Sequence, residues 1–286
     1  MILRVAAAQY PLTKMSTWTE WVQHTEHWID QAVQAKAQLL VFPEYGSMEL
    51  VSLLPLDQQN SLPVQIQGMG VFQKEFLQFF QQQAQAQGVA ILAPSFPLYA
   101  EGFTKPVNRA FFCFPDGRMD YQDKVYMTRF ENEQWGVGAG ETQEKVFEAF
   151  GVKIGVNICF DVEFPFSAHR LARQGVQILL APSCTESLWG LNRVHVGARA
   201  RAMENQFYVV IAQTVGEARW SSAVDLNTGR AAFYSTCDHG FPADGLLAEG
   251  ELNAPSWVYC DLDLSLLEEV RRDGHVLNYQ TMLRAR

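Results

Sequence analysis

The sequence predicts an α/β fold. Three observations carry this expectation. Short strand-like runs alternate with segments of helical periodicity, hydrophobic residues make up 48% of the 286 positions, and no linker-like stretch or internal repeat interrupts the alternation. Such alternation implies helices covering the faces of a sheet. A chain of this length and apolar content can bury a sizeable core. One domain is expected over residues 1–286, with a short C-terminal extension from about Leu264.

The elements follow in order. Residues 3–9 read as the first strand. Thr17 and Glu20 then stand at capping-box spacing. After them Trp18, Trp21, Val22, Ile29, Ala32 and Val33 recur at helical intervals. Residues 39–42 form a short buried strand that Pro43 ends. Residues 71–87 predict a helix with Phe72, Phe76, Phe79 and Phe80 on its apolar side and Gly88 at its C-terminal cap. Its glutamine-rich part, residues 78–87, reads as a solvated helix face. Residues 89–93 and 111–114 are strand-like, the latter leading into the turn Pro115-Asp116-Gly117. Residues 119–123 and 151–159 are further strand-like runs, ending at Lys124 and on Cys159. A helix through His169 and Leu171 ends near Gly175, and residues 176–181 form another buried strand. A helix around 198–205 leads into a strand over 208–212, and residues 257–262 close the pattern.

Composition excludes several classes of function. No apolar run approaches the roughly 20 residues that span a bilayer. The N-terminal Met1-Ile-Leu-Arg-Val lacks the basic and long apolar regions of a signal peptide. Five cysteines, at 113, 159, 184, 237 and 260, are odd in number and scattered, so a reducing, cytoplasmic setting is expected rather than a disulfide framework. A net charge of -9 argues against a basic face for nucleic acid or an anionic membrane. The histidines at 24, 27, 169, 195, 239 and 275 form no metal signature, and His24 and His27 read as surface positions on the first helix. The glycines at 136, 138 and 140 do not join a strand to a helix as a nucleotide fingerprint would, and read as a flexible loop.

Three polar residues stand at the ends of strand-like runs. Glu44 follows Leu39-Leu-Val-Phe42-Pro43, Lys124 follows Met119–Asp123, and Cys159 ends its own run. Each alone has an ordinary reading, a charge solvated at a sheet edge or a small buried thiol. Gathered at one sheet edge, the three would suit acyl transfer. A Cys–His hydrolase using His169, His195 or His239 is the rival arrangement.

At these motifs the chain resembles the nitrilase superfamily of carbon–nitrogen hydrolases. The matching segments are Val41-Phe-Pro-Glu44-Tyr, Tyr121-Gln-Asp-Lys124-Val-Tyr-Met, and Gly155-Val-Asn-Ile-Cys159-Phe-Asp-Val-Glu-Phe-Pro165. Supporting matches are Val5-Ala-Ala-Ala-Gln9, Asn108 before Phe114-Pro-Asp-Gly117, Leu180-Ala-Pro182, and the segment from Arg199 through Asn205 to Val210. They occur in family order and cover nearly the whole chain. The resemblance implies an αββα sandwich carrying a Glu–Lys–Cys site. Glu44 would be the general base, Cys159 the nucleophile, and Lys124 with the Phe160 N–H the oxyanion donors. These roles suit the chemistry. A free thiol with a pKa of about 8.5 needs a base at neutral pH, and a carboxylate partly removed from water gains basicity.

The family pattern also has a second glutamate after the lysine. Glu131 matches it best by position, and Glu133 is the alternative. Where relatives commonly carry histidine two positions after the lysine, this chain has Tyr126, so hydrogen bonding around Lys124 is expected to differ. Phe160-Asp161 after the cysteine resembles the amidase and carbamoylase branches more than the nitrile hydrolases. The expected activity is hydrolysis of a small linear carboxamide through a cysteine thioester, with no metal or organic cofactor. An N-carbamoyl-amine hydrolase, or a catalytically silent binding protein on the same fold, are the alternatives. The substrate pocket is expected to be lined by Tyr45, Tyr126, Trp135, Phe160, Thr185, Glu186 and Trp189, with Cys184 a bystander. Some related sequences carry an acetyltransferase domain, for which this chain has no room. Superfamily members usually associate through helices flanking the sandwich, so a homodimer is expected.

Overall fold

A computed structural model describes residues 1–59 and 61–284. Its first half contains β1 (Ile2–Pro11), α1 (Trp18–Gln34), β2 (Leu39–Val41), α2 (Leu62–Met69), α3 (Gln73–Gln87), β3 (Ala90–Leu92), β4 (Phe96–Leu98), β5 (Val107–Cys113), β6 (Met119–Asp123) and α4 (Arg129–Glu133). The second half contains β7 (Phe147–Ala149), β8 (Val152–Val156), α5 (Pro165–Arg173), β9 (Ile178–Ser183), α6 (Leu188–Asn205), β10 (Tyr208–Glu217), β11 (Leu226–Asn227), β12 (Ala232–Tyr234), β13 (Leu246–Glu249), β14 (Ser256–Asp263), α7 (Leu264–Asp273) and α8 (Asn278–Arg284).

The strands follow the order β4-β5-β3-β2-β1-β10-β9-β8-β7, with β6 beside β5, β14 beside β1 and β12 beside β10. β1 joins the two halves. It pairs in parallel with β2 over Val5 to Ala7 and with β10 over Gln9 to Pro11. The parallel strands β2, β3 and β9 are buried at every position, which is why they read as unbroken apolar runs rather than alternating ones. The sheet folds back on itself. Phe112 of β5 and Phe147 of β7 belong to opposite ends of the strand order, yet their rings stack with centroids 4.9 Å apart.

Helices cover the two outer faces. On one, Trp21 of α1 packs on Phe76, Phe79 and Phe80 of α3, in one cluster with Ala6, Ala8 and Tyr10 of β1. The alternate β1 residues Leu3, Val5 and Ala7 join the other cluster, as period-two side chains must. That cluster also holds Leu171 of α5 and Ala198 and Ala202 of α6. The layers therefore run helix, sheet, sheet, helix, the αββα sandwich that the resemblance implies.

Local chemistry explains the helix ends. The Thr17 hydroxyl accepts the Glu20 N–H at 3.1 Å, capping α1, while the Glu20 carboxylate turns back to the Ser16 N–H at 2.8 Å, one residue earlier than a capping box requires. Gly88 takes φ 65° and closes α3, a left-handed conformation that glycine adopts without steric penalty.

Several elements depart from expectation. α6 starts ten residues before the predicted helix, capped by Ser187. Its early turns expose Leu188, Trp189 and Val196, which erases the amphipathic pattern a sequence reading depends on. The glycine loop is pinned rather than loose. Gly138 N–H donates to Pro106 O at 2.8 Å and Gly140 N–H to Lys124 O at 3.0 Å. A Cβ on Gly140 would lie 2.3 Å from that of Asp123, so close packing against Asp123 calls for glycine there. Leu264 and Leu267 of α7 are buried in the core, so the C-terminal segment is packed against the sandwich. Among the described residues no helix is long and apolar enough to cross a membrane.

Candidate active site

Each polar residue is delivered by a break in the sheet. β2 runs into Pro43, which has no N–H to continue a ladder, and Glu44 follows at once. Tyr45 then takes φ 56° and starts a 3-10 turn, its N–H held by Ser95 Oγ at 2.8 Å. Lys124 follows β6, its backbone N–H bonded to Asn108 O at 2.9 Å. The thiol is placed differently from the expected strand end. β8 stops at Val156, and Cys159 begins a 3-10 turn, Cys159–Glu163, with φ 50°. A non-glycine residue in the left-handed region carries backbone strain. Asp161 holds this corner together. Its carboxylate accepts the N–H groups of Ile158 at 3.2 Å, Val125 at 3.2 Å and Tyr126 at 2.7 Å. One buried side chain thus ties the cysteine turn to the lysine loop.

The ends of these elements meet. Lys124 Nζ lies 2.8 Å from Glu44 Oε1 and 2.7 Å from both oxygens of Glu131. All three side chains are 1% exposed. Glu44 also accepts Asn108 Nδ2 at 2.9 Å and the Cys184 N–H at 3.0 Å. Glu131 accepts the Tyr45 hydroxyl at 2.9 Å and closes a capping box with Thr128 at the start of α4. Glu133, the alternative second glutamate, is half exposed and pairs with Arg129 at 2.8 Å. The Cys159 thiol donates to Cys184 O at 3.6 Å, and the thiol and the Glu44 carboxyl influence each other electrostatically.

Burial sets the protonation states. Removal from water pushes Glu44 up to about 7, partly opposed by Lys124 and reinforced by Glu131. For Lys124 burial acts downward, but Glu131 and Glu44 outweigh it and hold the ammonium well above its ordinary range. Burial, then the Glu44 charge, raises the Cys159 thiol well above the free value. The resting site is therefore a protonated thiol beside a carboxylate of near-neutral pKa, with a fixed cation next to both. That is the set of groups a base-activated nucleophile needs.

A cavity of about 340 Å³ opens onto these groups, at the small end of the roughly 300–1,000 Å³ range of ligand sites. Tyr45, Trp135, Phe160, Thr185 and Glu186 line it, as expected. Tyr126 and Trp189 do not. The Tyr126 ring packs on Phe164 with centroids 4.8 Å apart. Trp189 is 81% exposed and lines a separate surface groove with Val196. Proximity to a motif says nothing of which way a side chain points.

Sequence reasoning missed other parts of the site. Cys184, read as a bystander, contacts both Glu44 and Cys159 through its backbone. Glu163, Arg193 and the wall from Ser222 to Leu226 also line the cavity. That wall has no periodicity to mark it, whereas Glu163 stands inside the cysteine motif and could have been considered. The Cys–His arrangement is not formed. His195 is buried but bonds Tyr234, Gln213 and Arg230, His239 packs on His275, and His169 lies on a surface groove. His24, expected at the surface, is half-buried, its Nε2 3.7 Å from the buried Glu49.

Comparison with known proteins identifies the family. Residues 4–272 match the family model described as carbon-nitrogen hydrolase. A probable hydrolase of Bacillus subtilis strain 168, YhcX, is 32% identical over 96% of this chain and 52% of its own length, so the chain spans about half of that relative. A deaminated glutathione amidase of Synechocystis is 30% identical over 73% of this chain and 77% of its own. A carbon-nitrogen hydrolase from Helicobacter pylori G27 superimposes with a TM-score of 0.76 over 99% of both chains, at 20% identity, a likeness of fold. The chain belongs to the carbon–nitrogen hydrolase family.

Proposed function

We propose that this protein is an amidohydrolase that cleaves the C–N bond of a small linear carboxamide through a thioester on Cys159. The observation that carries the reading is the buried Lys124, clamped between Glu44 and Glu131 at the floor of a cavity where the Cys159 thiol sits.

The geometry supports the following steps. Glu44 takes the thiol proton as Cys159 Sγ bonds to the amide carbon, and the carbonyl oxygen becomes an oxyanion. Lys124 has three N–H donors. With Glu44 and Glu131 engaging two, the third can face the oxyanion. The Phe160 N–H belongs to the first turn of the 3-10 segment, where N–H groups have no partner within the turn, and serves as the second donor. Losing one such donor typically reduces rate by about 100- to 1,000-fold. The intermediate collapses as Glu44 returns the proton to the departing nitrogen, which leaves as ammonia or an amine. Water then gives a proton to Glu44 and its oxygen to the thioester carbon. The C–S bond breaks, the carboxylic acid departs, and the proton restores the thiol.

Ammonia release from a panel of linear amides, with Cys159→Ala beside the wild type, tests the proposal. Turnover by the wild type with at least about a 1,000-fold loss in the variant is expected. Full activity in the variant would remove Cys159 from the mechanism.

A further inference from the structure

The charges around the cavity do not balance. Its lining carries five carboxylates, Glu44, Glu131, Glu163, Glu186 and Asp225, against two cations, Lys124 and Arg193. Both cations are already engaged. Lys124 serves Glu44 and Glu131. Arg193 Nε stands 3.5 Å from Glu163 Oε1. Glu186 and Asp225 are exposed at the rim, and among the described residues neither has an ion-pair partner. A substrate carboxylate would meet two unpaired carboxylates and would have to displace Glu163 from Arg193.

A second feature points the same way. Four aromatic residues, Tyr45, Phe130, Trp135 and Phe160, make most of the apolar wall, beside Val194, Ala223 and Leu226. Aromatic faces attract organic cations, most strongly where water is excluded. A negative rim outside such a wall concentrates cations at the entrance, and the whole chain's charge of -9 has the same sign.

We infer that the substrate is an amide whose far end carries a protonated amine, received by Glu186 and Asp225 at the rim while the amide carbon reaches Cys159. This selectivity rests on the amidohydrolase reading above and narrows its substrate class. The aromatic wall holds the aliphatic stem, and the rim carboxylates discriminate by charge.

Three amides of matched length test it: δ-aminovaleramide, with an ammonium end; hexanamide, with a methyl; and the monoamide of glutaric acid, with a carboxylate. The measurement is kcat/KM for each with the wild-type enzyme and the E186Q/D225N variant, at low salt and at about 1 M salt, where the Debye length falls to about 3 Å. The expected order is ammonium, methyl, carboxylate, with about a tenfold span between the ends. That span should shrink several-fold in high salt and in the variant. Because the ratio is internal to each protein, a change in the folded fraction cancels. Equal rates, a carboxylate preference, or a span untouched by E186Q/D225N would overturn the inference while turnover of hexanamide kept the amidohydrolase reading intact. No turnover of any of the three overturns both.

Discussion

Lys124 is the countercharge to two buried carboxylates, Glu44 and Glu131. Its removal therefore acts on stability as well as rate. Lys124→Met leaves Glu44 and Glu131 buried without a countercharge, a situation that typically costs about 3–5 kcal/mol. The cost depends on pH. Burial raises the Glu44 carboxyl and Lys124 pulls it down, leaving it at about 7 against an ordinary value of 4.5. Without Lys124 the carboxyl therefore binds its proton more tightly, and the folded variant loses more stability than the wild type as pH rises. Urea unfolding should show a larger loss at pH 8 than at pH 6. In the wild type the raised pKa means that the folded state binds more protons than the unfolded one between 4.5 and about 7. That group's favourable contribution is present below 4.5 and is lost as pH rises through about 7. Catalysis runs the other way, because only the ionised carboxylate accepts the thiol proton. We expect kcat/KM to fall about tenfold per pH unit below about 7 and to level off above it. A flat profile from pH 5 to 8 would contradict the assignment of Glu44 as base. Residues of this kind were legible in the sequence because each lies in a compact motif just past an apolar run. Their hydrogen-bond partners were less so. Asn108 stood in a supporting motif, but nothing there showed that its amide reaches Glu44 across 64 positions.

At the scale of elements, the site depends on how α6 lies against the 3-10 turn that carries Cys159. Gly197 is the point of closest approach. A Cβ there would sit 2.8 Å from Val162 O and 3.1 Å from Glu163 Cα, and both atoms are backbone, which cannot swing aside. Gly197→Ala should lower stability by about 1–3 kcal/mol and reduce kcat more than it raises KM, since the displaced turn aims both the thiol and the Phe160 N–H. Denaturant unfolding and steady-state kinetics on the same preparation would check both. Most elements could be read from sequence because β2, β3 and β9 are buried runs and α1 and α3 keep an apolar stripe. The first turns of α6 could not, because their apolar residues face outward. The cysteine corner was misplaced as a strand end because Val156, Asn157 and Ile158 keep the strand's alternation, while the turn is fixed by backbone N–H groups donating to Asp161, which no periodicity records.

At the scale of the molecule, the outward face of α6 stands out. Trp189, Val196 and Met203 lie along it at 81%, 68% and 40% exposure, spaced at seven residues, about two helical turns. A row of exposed apolar residues on one helix face is a candidate association surface, and we propose that two copies of the chain meet there. Light scattering on the purified protein should give twice the chain mass, and Trp189→Ser with Val196→Asp should shift it to a monomer. A monomeric wild type would refute the assignment. The sandwich itself was legible at this scale through the alternation and the ordered motifs. Its closure was not, because the stacking of Phe112 on Phe147 joins strands far apart in the chain.

The account stands on a covalent bond between substrate and Cys159. Rapid quenching of enzyme and amide, followed by intact-mass measurement and peptide mapping, tests that bond directly. The expected result is a mass increase equal to the acyl group, confined to the peptide containing Cys159 and absent from Cys159→Ala. Steady turnover of the amide with that peptide unmodified at every quench time, and undiminished turnover by Cys159→Ala, would contradict it.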